Sequence, residues 1–112
     1  MAGLAVLDET RQTFRYFNTG NSPAMGSNDV WTVTSTTDGN IWFGTADHGL
    51  HRLDAKGHIT RFMPRRGDTR SLPSPSVSKV LVGPDGTLWV GTKAGVARWT
   101  GRDFERLAPD KL

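Results

Sequence analysis

The segment DGNIWFGT at residues 38–45 decides the fold, because it returns as DGTLWVGT at residues 85–92, 47 positions later. Two further segments recur at nearly the same spacing. GLAVLD at 3–8 returns as GLHRLD at 49–54 and GVARWT at 95–100, and TFRYF at 13–17 returns as HITRF at 58–62 and DFERL at 103–107. Self-similarity that keeps its register along a chain indicates a repeat protein. The period here is about 46 residues.

Each repeat contains four short segments typical of β-strands. Runs rich in β-branched and aromatic residues alternate with turn signals such as Asp38-Gly39 and Asp85-Gly86, which supply the positive φ of a two-residue hairpin. No stretch keeps a 3.6-residue apolar rhythm, so helices are not expected. Four antiparallel strands in about 46 residues make one β-propeller blade. We therefore predict an all-β fold, a partial β-propeller of about two and a half four-stranded antiparallel blades.

The blades are divided as follows. A half blade is predicted at 1–17, full blades at 28–63 and 76–107, and inter-blade loops at 18–27 and 64–75. Within a blade the strands are named A to D in chain order, and the half blade supplies only C and D. They are predicted at 30–34 and 78–82 (A), 41–44 and 88–91 (B), 4–7, 50–53 and 96–99 (C), and 13–17, 59–63 and 104–107 (D).

Most repeated residues have structural explanations. Trp42 and Trp89 each precede a glycine by two positions, an arrangement that lets adjacent twisted blades pack closely, so both are predicted in the core. Trp99 is predicted to fill space between blades. Thr45 and Thr92 are predicted to satisfy backbone groups at strand ends.

Composition excludes several classes of function. The chain has 112 residues, 36% of them hydrophobic, no cysteine and a net charge of +3. Thiol catalysis, disulfides and cysteine-based zinc sites are therefore excluded. The arginines are dispersed rather than gathered in a stripe, so nucleic-acid binding is not expected. No apolar run is long enough to span a membrane, so this segment is not expected to contact one. No export signal is present, so the chain as given is expected in the cytoplasm.

Chemistry-bearing motifs are sparse. His48, His51 and His58 are close in sequence but lie on different elements, so no metal site is predicted. There is no G-x-S-x-G motif, and neither a catalytic residue nor a cofactor is predicted.

Binding residues are expected on the loops of one rim. Because strands alternate in direction, the D–A and B–C loops share one rim, and the A–B and C–D turns share the other. The D–A loops also differ, one uncharged (NTGNSPAMGSN) and one basic (PRRGDTRSLPSP), and variable loops on a constant frame carry specificity. The candidate ligand-binding residues are Asp47, His48, Arg65, Arg66, Arg70 and Lys93. The alternative for each is a solvated loop edge.

The pattern V-x-x-V, D-G-x-[IL]-W-[FV]-G-T and G-[LV]-x-R, present in both full repeats, resembles the two-component regulator propeller repeat. The resemblance implies ligand sensing rather than catalysis, in the periplasmic sensor region of a bacterial receptor with a kinase or cyclase output. A second resemblance, to the streptogramin lyases at residues 39–43 and 57–62, would imply an enzyme. A structural remnant without a ligand is the third alternative.

The sequence-based hypothesis is therefore a fragment of a non-catalytic, ligand-sensing propeller of a signal-transduction receptor. Its expected partners are the remaining blades or a second copy of the chain, because repeat arrays need capped ends. Its expected ligand is a small molecule or a glycan.

Overall fold

The computed structural model describes residues 4–8, 13–17 and 29–107, which form ten strands and no helix. All ten predicted strands are present, and each end lies within one residue of its predicted position. The strands are β1 (Leu4–Asp8), β2 (Thr13–Phe17), β3 (Val30–Ser35), β4 (Ile41–Thr45), β5 (Leu50–Leu53), β6 (Ile59–Phe62), β7 (Val77–Val82), β8 (Leu88–Thr92), β9 (Gly95–Trp99) and β10 (Phe104–Arg106). The predicted loop at 18–27 lies outside the described residues, as do residues 1–3 and 9–12 of the predicted half blade.

The strands pair as antiparallel meanders in chain order. β1 pairs with β2, β3-β4-β5-β6 form one four-stranded sheet, and β7-β8-β9-β10 form another. We call the first of these sheets blade two and the second blade three. The first strands of the two blades lie side by side, and the backbone N–H of Val80 donates to Thr32 Oγ1 at 3.1 Å. The all-β, partial-propeller prediction is confirmed.

The hairpin turns differ in detail from the prediction. Gly39 and Gly86 do have positive φ, at 90° and 86°. However, the Gly39 N–H donates to Thr36 O at 3.2 Å and the Gly86 N–H to Gly83 O at 3.0 Å, so each glycine is the last residue of a four-residue turn instead of lying at its centre. The loops are therefore longer than two-residue hairpins. Asp38 Oδ1 stabilises its loop by accepting a backbone N–H two residues further on, at 3.1 Å.

Blades two and three pack face to face along an interface that we call the seam. Trp42 is 1% exposed, and its ring centroid lies 5.2 Å from that of Trp99, which fills inter-blade space as predicted. A Cβ on Gly44 would lie 2.3 Å from Val77 Cγ1, so only glycine permits this approach of the two sheets. The seam is thus the main hydrophobic core of the described residues.

The prediction that Trp89 is a core residue is wrong. Trp89 corresponds to Trp42 in the repeat, yet it is only half-buried. It lies on the far side of blade three from the seam, on a surface where Leu81 is 43% exposed and Val96 is half-buried. We call this surface, with Leu81, Trp89 and Val96, the open face. Trp89 remains accessible because no further sheet covers the open face within the described ranges 4–8, 13–17 and 29–107.

Candidate functional site

The B–C loops and the D–A loop meet at one rim, as the strand directions predict. The backbone N–H of Gly49 donates to Pro75 O at 2.8 Å, and that of Lys93 donates to Ser76 O at 3.0 Å. Asp47 and His48 therefore lie in the first B–C loop, and Lys93 lies in the second, beside the same D–A loop.

The rim threonines have the structural role predicted for them. Thr45 Oγ1 donates to Gly49 O at 3.1 Å and accepts the backbone N–H of His48 at 3.0 Å. Thr92 Oγ1 donates to Gly95 O at 2.7 Å. Each hydroxyl closes a B–C loop, which explains why the Gly-Thr pair recurs in both repeats.

Asp47 and His48 contact each other. His48 Nδ1 lies 2.6 Å from Asp47 Oδ1, and both side chains are substantially exposed. Lys93 lies farther along the rim, where it lines a shallow pocket with Trp31, Ser76 and Ser78. Trp31 is 55% exposed at the point where the register of β3 against β4 shifts. The sequence-predicted rim residues therefore occupy separate parts of the rim.

The D–A loop of residues 63–76 does not stay on that rim. It runs down the outer edge of β10, where the Phe104 N–H donates to Arg70 O at 2.9 Å. Arg106 anchors the loop through donations to Asp68 O at 3.2 Å, Ser71 O at 3.0 Å and Leu72 O at 3.3 Å. The loop therefore meets the B–C loops at one rim as predicted, but it also extends along β10, because β10 offers its unpaired edge to the loop.

The turn of the loop places Arg70 against Asp103 in the C–D turn of blade three. Arg70 Nε lies 3.1 Å from Asp103 Oδ2, and Nη2 lies 3.0 Å from Oδ1, which is a bidentate pair. The guanidinium lowers the pKa of the Asp103 carboxyl, with a further contribution from the Thr100 hydroxyl. In turn, the hydrogen bonds that Arg70 donates to Asp103 raise the pKa of Arg70.

A groove of about 250 Å³ lies beside this pair, between the outer strands of the two blades. We call it the arginine groove. Its walls carry Arg61, Arg65, Arg70, Arg102, Asp68 and Asp103, and Phe62, Leu72 and Phe104 are among the other lining residues. The groove thus gathers four guanidinium groups around one concavity.

Of the six sequence-predicted site residues, the arginine groove brings together only Arg65 and Arg70. Arg66, although adjacent in sequence, does not line it. Sequence reasoning missed Arg61, Arg102 and Asp103. The repeat pattern contains no signal for the Arg70–Asp103 pair, because the two residues are 33 positions apart and meet only when the loop folds back.

The described residues contain no group of three His, Cys, Asp or Glu side chains close enough to hold a metal ion. Nor does any helix there have the length and apolar character needed to cross a membrane. His51, one of the three histidines, is buried and stacks on Phe43 with ring centroids 4.7 Å apart.

The fold and the seam define a segment of a β-propeller, and comparison with known proteins shows which repeats the chain resembles. Residues 24–47 and 71–94 match the two component regulator propeller. This confirms the resemblance that the sequence motifs carry: two segments of the chain are similar to the two component regulator propeller.

Among the solved structures that match, one aligns with almost the whole chain. It is the extracellular domain of a protein named as a hybrid two component system from B. thetaiotaomicron, with a TM-score of 0.73 and 25% identity over 93% of this chain. The chain spans only 14% of the length of that domain. A search of curated proteins gave no match.

Proposed function

We propose that the chain is a non-catalytic, ligand-sensing segment of the periplasmic propeller region of a bacterial hybrid two component receptor. The observation that carries the proposal is the similarity over 93% of the chain to the extracellular domain of a hybrid two component system. The two matched repeats support the same role.

A binding role fits the way polar residues are used. The residues shared by both repeats, such as Thr45 and Thr92, bond to the backbone of their own loops and so maintain the frame. The residues that differ between repeats, including Lys93, Arg65 and Arg66, are exposed and so available to a ligand. A constant frame with variable loops is typical of binding proteins.

The partner proposed for the open face is a further blade. The solved domain that matches is about seven times longer than the part aligned here, which leaves room for many more repeats. Trp89 has the repeat position of Trp42, whose ring is buried by the next blade along the chain. A further blade would bury Trp89 in the same way. Self-association of the chain is the competing outcome.

The test is a reporter assay on the complete receptor that contains this segment. We expect the reading frame to continue into further repeats of about 46 residues, a membrane span and a kinase or cyclase domain. Deleting this segment should abolish the transcriptional response to the inducing ligand while the receptor still reaches the membrane. A response that survives the deletion, or a reading frame without an output domain, would refute the proposed function.

A further inference from the structure

We propose that the arginine groove binds a single-ring ligand that carries a carboxylate or a sulfate group. The inference rests on the geometry of the groove and does not require the receptor role proposed above. It adds a specific place on the chain and a chemical class of ligand.

The charges around the groove are unbalanced. Four guanidinium groups line it against two carboxylates. Arg70 and Asp103 satisfy each other through their two hydrogen bonds. Within residues 29–107 the structure gives no ion pair to the three remaining arginines, all of them exposed: Arg61, Arg65 and Arg102. A guanidinium donates two parallel hydrogen bonds to a carboxylate or a sulfate, so an oxyanion is the group that these side chains recognise best.

The apolar part of the lining indicates which kind of ring would carry the anionic group. Phe62 is half-buried and lies edge to face on the buried Phe104, with ring centroids 5.6 Å apart, and Met63 beside it is 38% exposed. These side chains give the groove an apolar surface beside its cationic walls. A volume of about 250 Å³ is below the range of roughly 300–1,000 Å³ for pockets that hold drug-sized ligands. It suits one ring with an apolar face and an anionic substituent.

The loop that forms one wall is held in place before any ligand arrives. Ser71 Oγ donates to Asp68 O at 2.7 Å and accepts the Arg65 N–H at 2.9 Å. The guanidinium of Arg106 adds three donations to backbone carbonyls of the same loop. Binding therefore costs little loop ordering, because the wall is already in its bound shape.

The test is a titration of the ¹⁵N-labelled chain, followed by NMR at low ionic strength. The probes are glucuronate, glucose 6-sulfate and benzoate, with uncharged glucose as the matched control. We expect amide shifts at residues 61–63, 65–72 and 102–104 with the anionic probes and none with glucose. A preference for the two sugars identifies the source of the anion as an acidic sugar, and a preference for benzoate identifies it as an aromatic acid.

Two arginines that are neighbours in sequence provide the matched variants. R65Q removes a groove cation, and we expect it to weaken binding about fivefold or more because a charge-assisted hydrogen bond is lost. R102Q should have a similar effect from the opposite wall. R66Q removes the same charge from the same loop outside the groove, and we expect less than about a twofold change, since an exposed charge contributes little.

Three results would overturn the proposal. They are an absence of shifts with all three anions, equal shifts with glucose and glucuronate, and equal weakening by R65Q and R66Q. Each of these leaves the receptor role standing, because that role rests on the comparisons and is tested on the complete receptor. Ligand-free spectra of the variants establish that each keeps the fold.

Discussion

The same side of blade two and of blade three carries equivalent residues, yet among the residues that the structure describes this side is covered in blade two and open in blade three. On the covered side, at the seam, Trp42 is 1% exposed, whereas Trp89 at the same repeat position on the open face is half-buried. A Cβ on Gly44 would meet Val77 Cγ1 at 2.3 Å, whereas the nearest atom to a Cβ on Gly91 is Lys79 Cβ, at an ordinary 3.5 Å. The repeat motif thus encodes an interface, and the neighbouring blade determines whether that interface is buried.

The corresponding arginines show the same contrast. Arg52 places its guanidinium carbon 5.4–5.8 Å from the ring centroids of Trp42, Phe62 and Trp99 at the seam. Arg98, its repeat equivalent on the open face, instead pairs with Glu105 through Nη2 and Oε1 at 3.0 Å. A cation between aromatic rings is stabilised by a covered interface, while a partly exposed ion pair contributes little.

Truncating the two tryptophans should give the largest difference in lost stability between the seam and the open face. We expect W42A to lower the free energy of unfolding by about 4 kcal/mol, because it opens a cavity at the seam. W42A also removes the hydrogen bond from Trp42 Nε1 to Thr36 Oγ1, 3.2 Å long. W89A should cost about 1 kcal/mol, since its ring is only partly removed from water. Equilibrium urea denaturation of both variants measures this difference, and equal losses would show that the seam is not the main core.

Adding one methyl group at Gly44 or at Gly91 should give the next largest difference in stability between the seam and the open face. We expect G44A to cost about 2 kcal/mol, because Val77 must shift to admit the new Cβ. G91A should lie within about 0.5 kcal/mol of the parent chain, because its Cβ has room and alanine restricts the unfolded chain. Neither glycine has a positive φ, so backbone strain does not enter the comparison. Thermal unfolding of the two variants provides the measurement, and a tolerant G44A would contradict the close approach of the blades.

Replacing the arginines should give a smaller difference. We expect R52Q to cost about 1 kcal/mol, because it removes the cation from three aromatic rings. R98Q should cost no more than about 0.5 kcal/mol, because its ion pair is partly exposed. The two variants are compared by urea denaturation at low and high salt. If R98Q lowers the free energy of unfolding more than R52Q does, the distinction between the covered and open faces is contradicted.

The smallest effect concerns the Arg70–Asp103 pair at the outer end of the seam. Because the folded-state pKa of Asp103 is lowered, the stabilisation from this pair is present above the ordinary carboxyl pKa of about 4. It is lost as the pH falls through the folded-state pKa. A carboxyl-detected NMR titration should show that R70Q raises the pKa of Asp103 toward its ordinary value.

Asp85 is the matched control for that titration. Its pKa is also lowered, but first by the backbone N–H of Thr87, which donates to Oδ1 at 3.1 Å. R70Q should therefore leave the pKa of Asp85 unchanged. If R70Q changes neither pKa, or changes the pKa of Asp103 and of Asp85 equally, the Arg70–Asp103 pair beside the groove is not formed as described.

Sequence reasoning found the strands because their signals are local and repeated. The Asp-Gly turns and the alternating strands at 50–53 and 95–99 are readable without tertiary contacts. The burial of Trp89 was not predictable from the repeat, because it depends on whether another sheet follows. The arginine groove was only half predicted, since Arg65 and Arg70 lie in a distinctive basic loop. Asp103 and Arg102 join them only because the loop folds along the edge of β10.

The central claim is that successive repeats stack through one common interface, and lengthening the array by one repeat tests it most directly. In a chain with a duplicate of residues 63–107 joined after Leu107, the copied Val77 should approach Gly91 as Val77 approaches Gly44. We predict that G91A, neutral in the original chain, then lowers the free energy of unfolding by about 2 kcal/mol, and that Trp89 fluorescence becomes shielded from a soluble quencher. If G91A stays neutral and Trp89 stays accessible in the lengthened chain, the stacking account is contradicted.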